Sequence, residues 1–557
     1  MKTSTTITAF GALALLAAAS VWGGSIVDSR HNLSTTGPGP IKSDTEGEIC
    51  IFCHTPHRAR ADVSLLWNRA GSGAIYTTYD SSTMRATVGQ PTGASALCLS
   101  CHDGTIALGA VLSREAEISF PPEMAFLTPD RPSYIGTDLA DDHPVSFNYQ
   151  EALSAGNTEL VMAANLPVNV RLDKAGMLQC TACHDAHDND NGKFLVMDNR
   201  NAMLCRSCHL PTGWDSASHA SSTAGWLSSN PNLSDMRYTT VAENACANCH
   251  RPHKAEGKHR LLRYGAGAAS CVICHDGSVA GKNIVAEFGK PYSHSIQNYG
   301  GLHDPAENPL AVMTKHAECA DCHNPHRANT NTAIAPNVPG LMRGVKGVNR
   351  SGTPVAEAEF SYEICLKCHS GNNQFVPGNY TYISRLFPQT DKRLVFDATN
   401  TSRHPVMDPQ ISTVAGLPSL LDPYKNGFKS LYCTDCHGND DPNGPKGPHG
   451  SNNPKLLKSE DTTAAGGLCF QCHDRGYLLT GDGKYVHSDH VAVKGVQCST
   501  CHDPHGSQGF PRLLNFNLGL VTQNSLGCIN VAPVSGTLKC GLSCHNYNHT
   551  IGGASGC

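Results

Sequence analysis

The chain of 557 residues carries 42 Lys and Arg against 47 Asp and Glu, a formal net charge of −5. So mild a balance over that length argues against a nucleic-acid partner. With aromatic residues at only 6% and with 53 Gly and 33 Pro, the side chains promise a thin core and many turns, which leaves the 26 Cys and 29 His to explain how the chain is held together.

In chain order the first feature is Met1-Lys2 followed by an apolar run from Ile7 to Val21. Residues 1–24 read as a secretory signal peptide, with cleavage near Trp22-Gly23-Gly24 and a mature chain starting close to Ser25. No later segment approaches the roughly 18 apolar residues a spanning helix needs. The expectation is an exported protein of the periplasm or the outer cell surface, without a membrane span in the mature chain. Cys50, the first cysteine, is too far from the cleavage region to carry a lipid anchor.

From residue 50 onward one pattern repeats. Eleven CxxCH motifs use Cys50, Cys53 and His54; Cys98, Cys101 and His102; Cys180, Cys183 and His184; Cys205, Cys208 and His209; Cys246, Cys249 and His250; Cys271, Cys274 and His275; Cys319, Cys322 and His323; Cys365, Cys368 and His369; Cys433, Cys436 and His437; Cys469, Cys472 and His473; and Cys498, Cys501 and His502. A twelfth, with Cys540, Cys544 and His545, carries one extra residue between its cysteines. This spacing lets two thiols reach the two vinyl groups of one haem while the next histidine offers its imidazole to the iron. A thioredoxin-like redox pair or half of a zinc site would not require a histidine after every second cysteine. The expected cofactors are therefore twelve haem c groups with their iron. Twelve motifs use 24 of the 26 cysteines, leaving Cys528 and Cys557, which we expect to pair as a disulfide because covalent haem attachment takes place where disulfides persist.

The histidines outside the motifs are ordered too. Five follow an odd-numbered motif at a fixed offset: His57, His187, His253, His326 and His505. After motif 9 the offset breaks, and His449 in Pro448-His449-Gly450 lies downstream to do the same work. A second set precedes the odd motifs: His31, His143, His219 and His404, with His294 taken from His294, His303 and His316 for motif 7, and His487 from His487 and His490 for motif 11. The unit H…CxxCHxxH…CxxCH is thus written six times, over residues 25–140, 141–210, 211–290, 291–400, 401–480 and 481–557. Six units supply twelve spare histidines, one for the distal face of each iron, although which serves which haem is left open. The 11 methionines show no fixed offset from a motif and read as filler. Iron with two imidazole ligands is six-coordinate and low in potential, which suits electron transfer better than substrate chemistry, and no catalytic residue is assigned.

The expected fold is mostly irregular, with short α-helices and minimal β, wrapped around an extended chain of haems. Residues 114–174 and 324–363 are rich in Pro, Gly, Asn and Thr without helical or strand periodicity. Short helices should carry the motifs, beginning at segments such as Ser95-Ala96-Leu97 and Ser361-Tyr362-Glu363-Ile364. Asp103-Gly104 and Asp276-Gly277 read as turns that close two of them.

The paired CxxCH arrangement, the stretch 501–506 (Cys-His-Asp-Pro-His-Gly) and the segments His143-Pro144-Val145 and His404-Pro405-Val406 resemble the multihaem cytochromes c with doubled CxxCH motifs of metal-reducing bacteria. The resemblance spans nearly the whole mature chain and is carried by the motifs, not the loops. It implies bis-histidine haems, redox proteins as donors and acceptors, and electron carriage toward extracellular acceptors. It also implies association with copies of itself in a filament, or with an outer-membrane conduit. Some relatives donate a histidine across the filament interface, and His31 is the candidate here. The competing reading is a multihaem oxidoreductase of the nitrite, hydroxylamine or sulfur-oxyanion type with one open haem. That open site would be sought at the irregular twelfth motif, beside His549.

At roughly 44 residues per haem, far below the length of an ordinary domain, most of the apolar mass must come from the cofactor. The apoprotein is expected not to fold, and a cooperative, native-like melt of haem-free chain in circular dichroism would contradict this.

Overall fold

The computed structural model describes residues 25–63, 65–225, 236–265, 267–294, 296, 317–371, 383–408, 419–425, 430–481, 487–534, 537–544 and 547–551. The signal-peptide segment, His303, His316, His545 and Cys557 lie outside the described residues.

The described chain is mostly turns and loops, punctuated by single helical turns and two-residue strand pairs. The motifs account for many of the helical turns. The first, third and fifth sit on 3₁₀ turns at Cys50–Phe52, Cys180–Ala182 and Ala245–Asn248, and the seventh, ninth and eleventh on one-turn α-helices at Cys319–Cys322, Cys433–Cys436 and Cys498–Cys501. Even-numbered motifs include the longer helices Gly93–His102, Ala269–His275 and Ser361–His369. The last begins at Ser361 as expected and the first at Gly93, two residues before the expected Ser95, and Gly104 and Gly277 adopt φ of +71° and +93° in the turns that follow Gly93–His102 and Ala269–His275.

One hydrogen bond recurs. The amide of the motif histidine donates to the carbonyl of the first cysteine at 2.8 Å in motif 1 and 3.0 Å in motifs 3, 9, 10 and 11. That bond closes one helical turn and brings residues i, i+3 and i+4 to one face, so both sulfurs and the imidazole converge.

Hydrophobic packing is divided among small clusters, and five of them border motif cysteines. Phe52, Val111 and Ile118 pack on Cys53; Phe147, Tyr149 and Leu178 on Cys208; Trp214 and Ala245 on Cys205 and Cys246; Tyr362, Leu366 and Phe396 on Cys433; and Phe516, Val521 and Leu542 on Cys501, Cys540 and Cys544. The apolar residues seat attachment points one by one and do not build a single core.

Two short strand pairs bring distant histidines together. Tyr292–Ser293 pairs antiparallel with Gly450–Ser451, and Ser402–Arg403 with Gly506–Ser507. Continuing either register by one residue sets His294 opposite His449 and His404 opposite His505. Lys290, bonded to Glu287 at 2.7 Å and Asp440 at 2.8 Å, braces the first pair. A Cβ on Gly450 would lie 1.8 Å from the Glu287 carbonyl oxygen, and one on Gly506 2.5 Å from that of Val395, so glycine follows each histidine by necessity.

The C-terminal region departs from the rest. Strands Val521–Thr522, Asn530–Val534, Thr537–Cys544 and Tyr547–His549 form an antiparallel sheet, and the cysteines of the twelfth motif lie on the central strand. The helical turn expected at this motif is replaced by extended chain, because Thr537–Cys544 pairs with strands on both sides. Among the described residues no helix is long and apolar enough to cross a membrane.

Gly450→Ala is expected to destabilise the holoprotein by about 3 kcal/mol through backbone overpacking and to displace His449. Thermal denaturation followed in the far-UV and visible bands checks both effects.

Candidate metal centres

Seven motif histidines are held by their Nδ1 atoms. His54 donates to the carbonyl of Leu65 at 2.7 Å, His102 to Ser133 at 2.7 Å, His184 to Lys193 at 2.9 Å, His250 to Arg260 at 2.8 Å, His323 to Leu341 at 2.9 Å, His437 to Lys455 at 2.9 Å and His502 to Arg512 at 2.8 Å. This fixes the tautomer with Nε2 unprotonated and turned toward the iron position.

Four of these accepting carbonyls, after motifs 3, 5, 9 and 11, belong to a repeat that motif reading overlooked. Lys193-Phe194, Arg260-Leu261, Lys455-Leu456 and Arg512-Leu513 are consecutive non-glycine residues at positive φ, between +52° and +74°. Each pair is followed by a leucine that bridges back to the motif histidine: Leu195 to His184, Leu262 to His250, Leu457 to His437 and Leu514 to His502. Left-handed backbone costs about 1–2 kcal/mol per such residue, so it is kept where something depends on it. What depends on it here is the aim of a carbonyl at an imidazole. The signal was a basic residue, an apolar one and leucine, recurring after the odd motifs.

Every regular motif histidine faces a second histidine. For the odd motifs the ring centroids are 6.2 Å apart for His54 and His187, 6.3 Å for His184 and His253, 6.1 Å for His250 and His326, 6.1 Å for His323 and His449, 6.0 Å for His437 and His505, and 6.3 Å for His502 and His487. For the even motifs they are 6.2 Å for His102 and His31, 6.2 Å for His209 and His143, 6.2 Å for His275 and His219, 6.4 Å for His369 and His294, and 6.3 Å for His473 and His404. Two metal–nitrogen bonds of about 2 Å, plus the reach to each ring centre, place two ligating imidazoles at roughly this separation. Rings in direct stacking contact come closer, as His31 and Phe194 do at 4.1 Å. Burial drives the pKa of His31, His209, His326, His369, His437, His449, His473 and His502 down to about 4, so these rings are held in the neutral, ligating form. The residues fit an iron porphyrin with two axial imidazoles.

The pairing follows a rule. An even motif faces the histidine upstream in its own unit, whereas odd motifs 1, 3, 5, 7 and 9 face the downstream histidine of the next unit. The last odd motif faces His487. His57 is exposed and opposes no motif histidine among the described residues. His31 faces His102 of the same chain and donates to the carbonyl of Ala186 at 3.2 Å, a placement as a distal ligand within the chain.

The cysteines give the order of the sites. Second cysteines lie within electrostatic reach of each other inside a unit, in the pairs Cys53 and Cys101, Cys183 and Cys208, Cys249 and Cys274, Cys322 and Cys368, and Cys436 and Cys472. First cysteines approach to hydrogen-bonding distance between units, in the pairs Cys98 and Cys180, Cys205 and Cys246, Cys271 and Cys319, Cys365 and Cys433, and Cys469 and Cys498. The motifs thus neighbour one another in sequence order, alternately through their second and their first cysteines.

At the twelfth motif, Cys540 and Cys544 both neighbour Cys501, continuing the within-unit contact. On an extended strand, however, four residues span about 13 Å, too far for both sulfurs to reach one porphyrin without local rearrangement. The histidines that face each other here are His490 and His549, at 5.8 Å. Cys528 is disulfide-bonded, while Cys557, its expected partner, lies outside the described residues.

Residues 174–213, 239–280, 423–476 and 490–528 match the family model for the doubled CXXCH motif. No curated protein matches the chain significantly.

His326→Ala is expected to open one coordination position opposite His250, visible as one haem equivalent of high-spin ferric signal. His57→Ala is expected to leave the spectrum unchanged.

Proposed function

We propose that this chain, a multihaem c-type cytochrome with doubled CXXCH motifs, conducts electrons along twelve bis-histidine haems in extracytoplasmic respiratory electron transfer. The observation that carries the reading is the run of eleven facing histidine pairs, consecutive in space as in sequence. Haem supplies the one-electron iron couple. The histidine pairs would hold each iron from both sides and leave substrate no coordination position, and such low-potential ligation suits a respiratory carrier. The alternating cysteine neighbours would bring successive cofactors close enough for direct electron transfer. An exported location follows from the leader-like N-terminus and from the compartment in which haem is attached. Donors and acceptors would be other redox proteins.

Assembly with further copies extends the same reading, because His57 is exposed and, among the described residues, faces no motif histidine. For the twelfth haem, Cys540 and Cys544 lie beside the eleventh site, with His490 and His549 at ligating separation. The oxidoreductase reading would place its open iron there.

Intact mass of the holoprotein is expected to show twelve covalent haems, falling by one in a Cys540→Ser, Cys544→Ser variant. Ferric spectra are expected to be low-spin throughout, with stepwise reduction over a broad negative range. A high-spin haem accompanied by nitrite or hydroxylamine turnover would favour the enzyme instead.

A further inference from the structure

The planes of the facing imidazoles separate into two groups. At the odd sites they are close to parallel, with interplanar angles of 19°, 35°, 23°, 19°, 5° and 34° for motifs 1, 3, 5, 7, 9 and 11. At the even sites they are crossed, at 67°, 73°, 89°, 57° and 61° for motifs 2, 4, 6, 8 and 10. No regular site falls between the groups.

The cause lies in how the two sets of distal histidines are tethered. Those facing even motifs bond through Nδ1 to the carbonyl just before a downstream histidine: His31 to Ala186 at 3.2 Å, His219 to Pro325 at 3.2 Å, His294 to Pro448 at 2.8 Å, and His404 to Pro504. His143 keeps the same neighbourhood, its amide donating to Pro252 at 2.8 Å and its ring bonding Pro144 at 3.0 Å. The next residue in each case, His187, His326, His449, His505 or His253, faces the preceding odd motif. One short segment thus anchors two distal rings that serve adjacent sites, and their orientations are set by different bonds.

Resting on the bis-histidine reading, we infer that the chain builds two electronic classes of haem and alternates them along the conductor. An axial imidazole donates π density into the iron d orbital perpendicular to its ring plane. Two parallel rings act on the same orbital, separate it from its partner and stabilise the ferric hole. Crossed rings act on both orbitals alike and leave them nearly degenerate. Parallel sites therefore give rhombic low-spin ferric signals and the lower potentials, whereas crossed sites give highly anisotropic low-spin signals and take up an electron first. When an external one-electron donor such as dithionite reduces the chain, each ferric site accepts one electron, and the first electrons come to rest on the even sites. The odd sites are the raised steps between them. This period of two coincides with the alternation of cysteine contacts, so each kind of step in potential is matched to one kind of edge between sites. The pair His490 and His549, at 39°, stands outside the regular motifs and outside the inference.

The test is low-temperature EPR of the oxidised holoprotein during a potentiometric titration with dithionite. Two low-spin populations of nearly equal spin count are expected, with the anisotropic one disappearing first. His219→Ala is expected to remove one spin from the anisotropic population, and His326→Ala one from the rhombic. A single low-spin class, earlier loss of the rhombic signal, or His219→Ala depleting the rhombic population would overturn the alternation. Predominantly high-spin iron in the unsubstituted protein would instead overturn the bis-histidine reading beneath it. Spin counts and reduction order of the unsubstituted protein decide the matter even where a variant does not fold.

Discussion

One constraint organises this molecule: each CxxCH turn presents one histidine, and each of the eleven regular motif histidines is met by a second imidazole from another segment. The i, i+3, i+4 geometry that gathers two sulfurs and a histidine on one side of a helical turn excludes that same turn from the opposite side of the porphyrin. The second ligand must arrive from elsewhere in the chain. In the odd sites of the first five units the facing histidine comes from the next unit, so neighbouring units meet through paired imidazoles.

That arrangement explains the economy of the rest. Five of the small apolar clusters seat motif cysteines, as Phe52 does beside Cys53 and Phe516 beside Cys501. Polar backbone carries the finer positioning. Carbonyls in left-handed segments such as Arg260-Leu261 orient the motif histidines, and two-residue strand pairs set His294 and His404 against their partners. Where the repeat runs out, irregularity appears at both ends. His57 is left over at the start, and at the finish the eleventh site draws on His487 while the twelfth motif sits on a strand.

Much of this was legible from residue order. The CxxCH spacing prescribes a local turn, and it is found at each of the eleven regular motifs, in a chain of low helix and little strand. Pairing was not legible, since His187 and His57 occupy equivalent places in the repeat and yet one faces His54 while the other faces solvent. Nor was the Lys193-Phe194-Leu195 type of segment recognised, because its role is expressed through backbone angle and carbonyl direction, not through side-chain chemistry. The strand at Thr537–Cys544 was missed because its extended form depends on pairing with strands before and after it.

By itself, the sequence determined the chemistry at each attachment point, for thiols and imidazole at fixed covalent spacing can converge only in a short-range turn whose geometry is local. It also determined that enough histidines exist to complete the irons. Only the tertiary structure decided which histidine completes which site, in what order the sites lie and at what angle the two rings meet. Those depend on contacts between residues a hundred or more positions apart, such as His31 with Ala186 and His404 with Pro504, and so on how separate units pack, which no local spacing encodes.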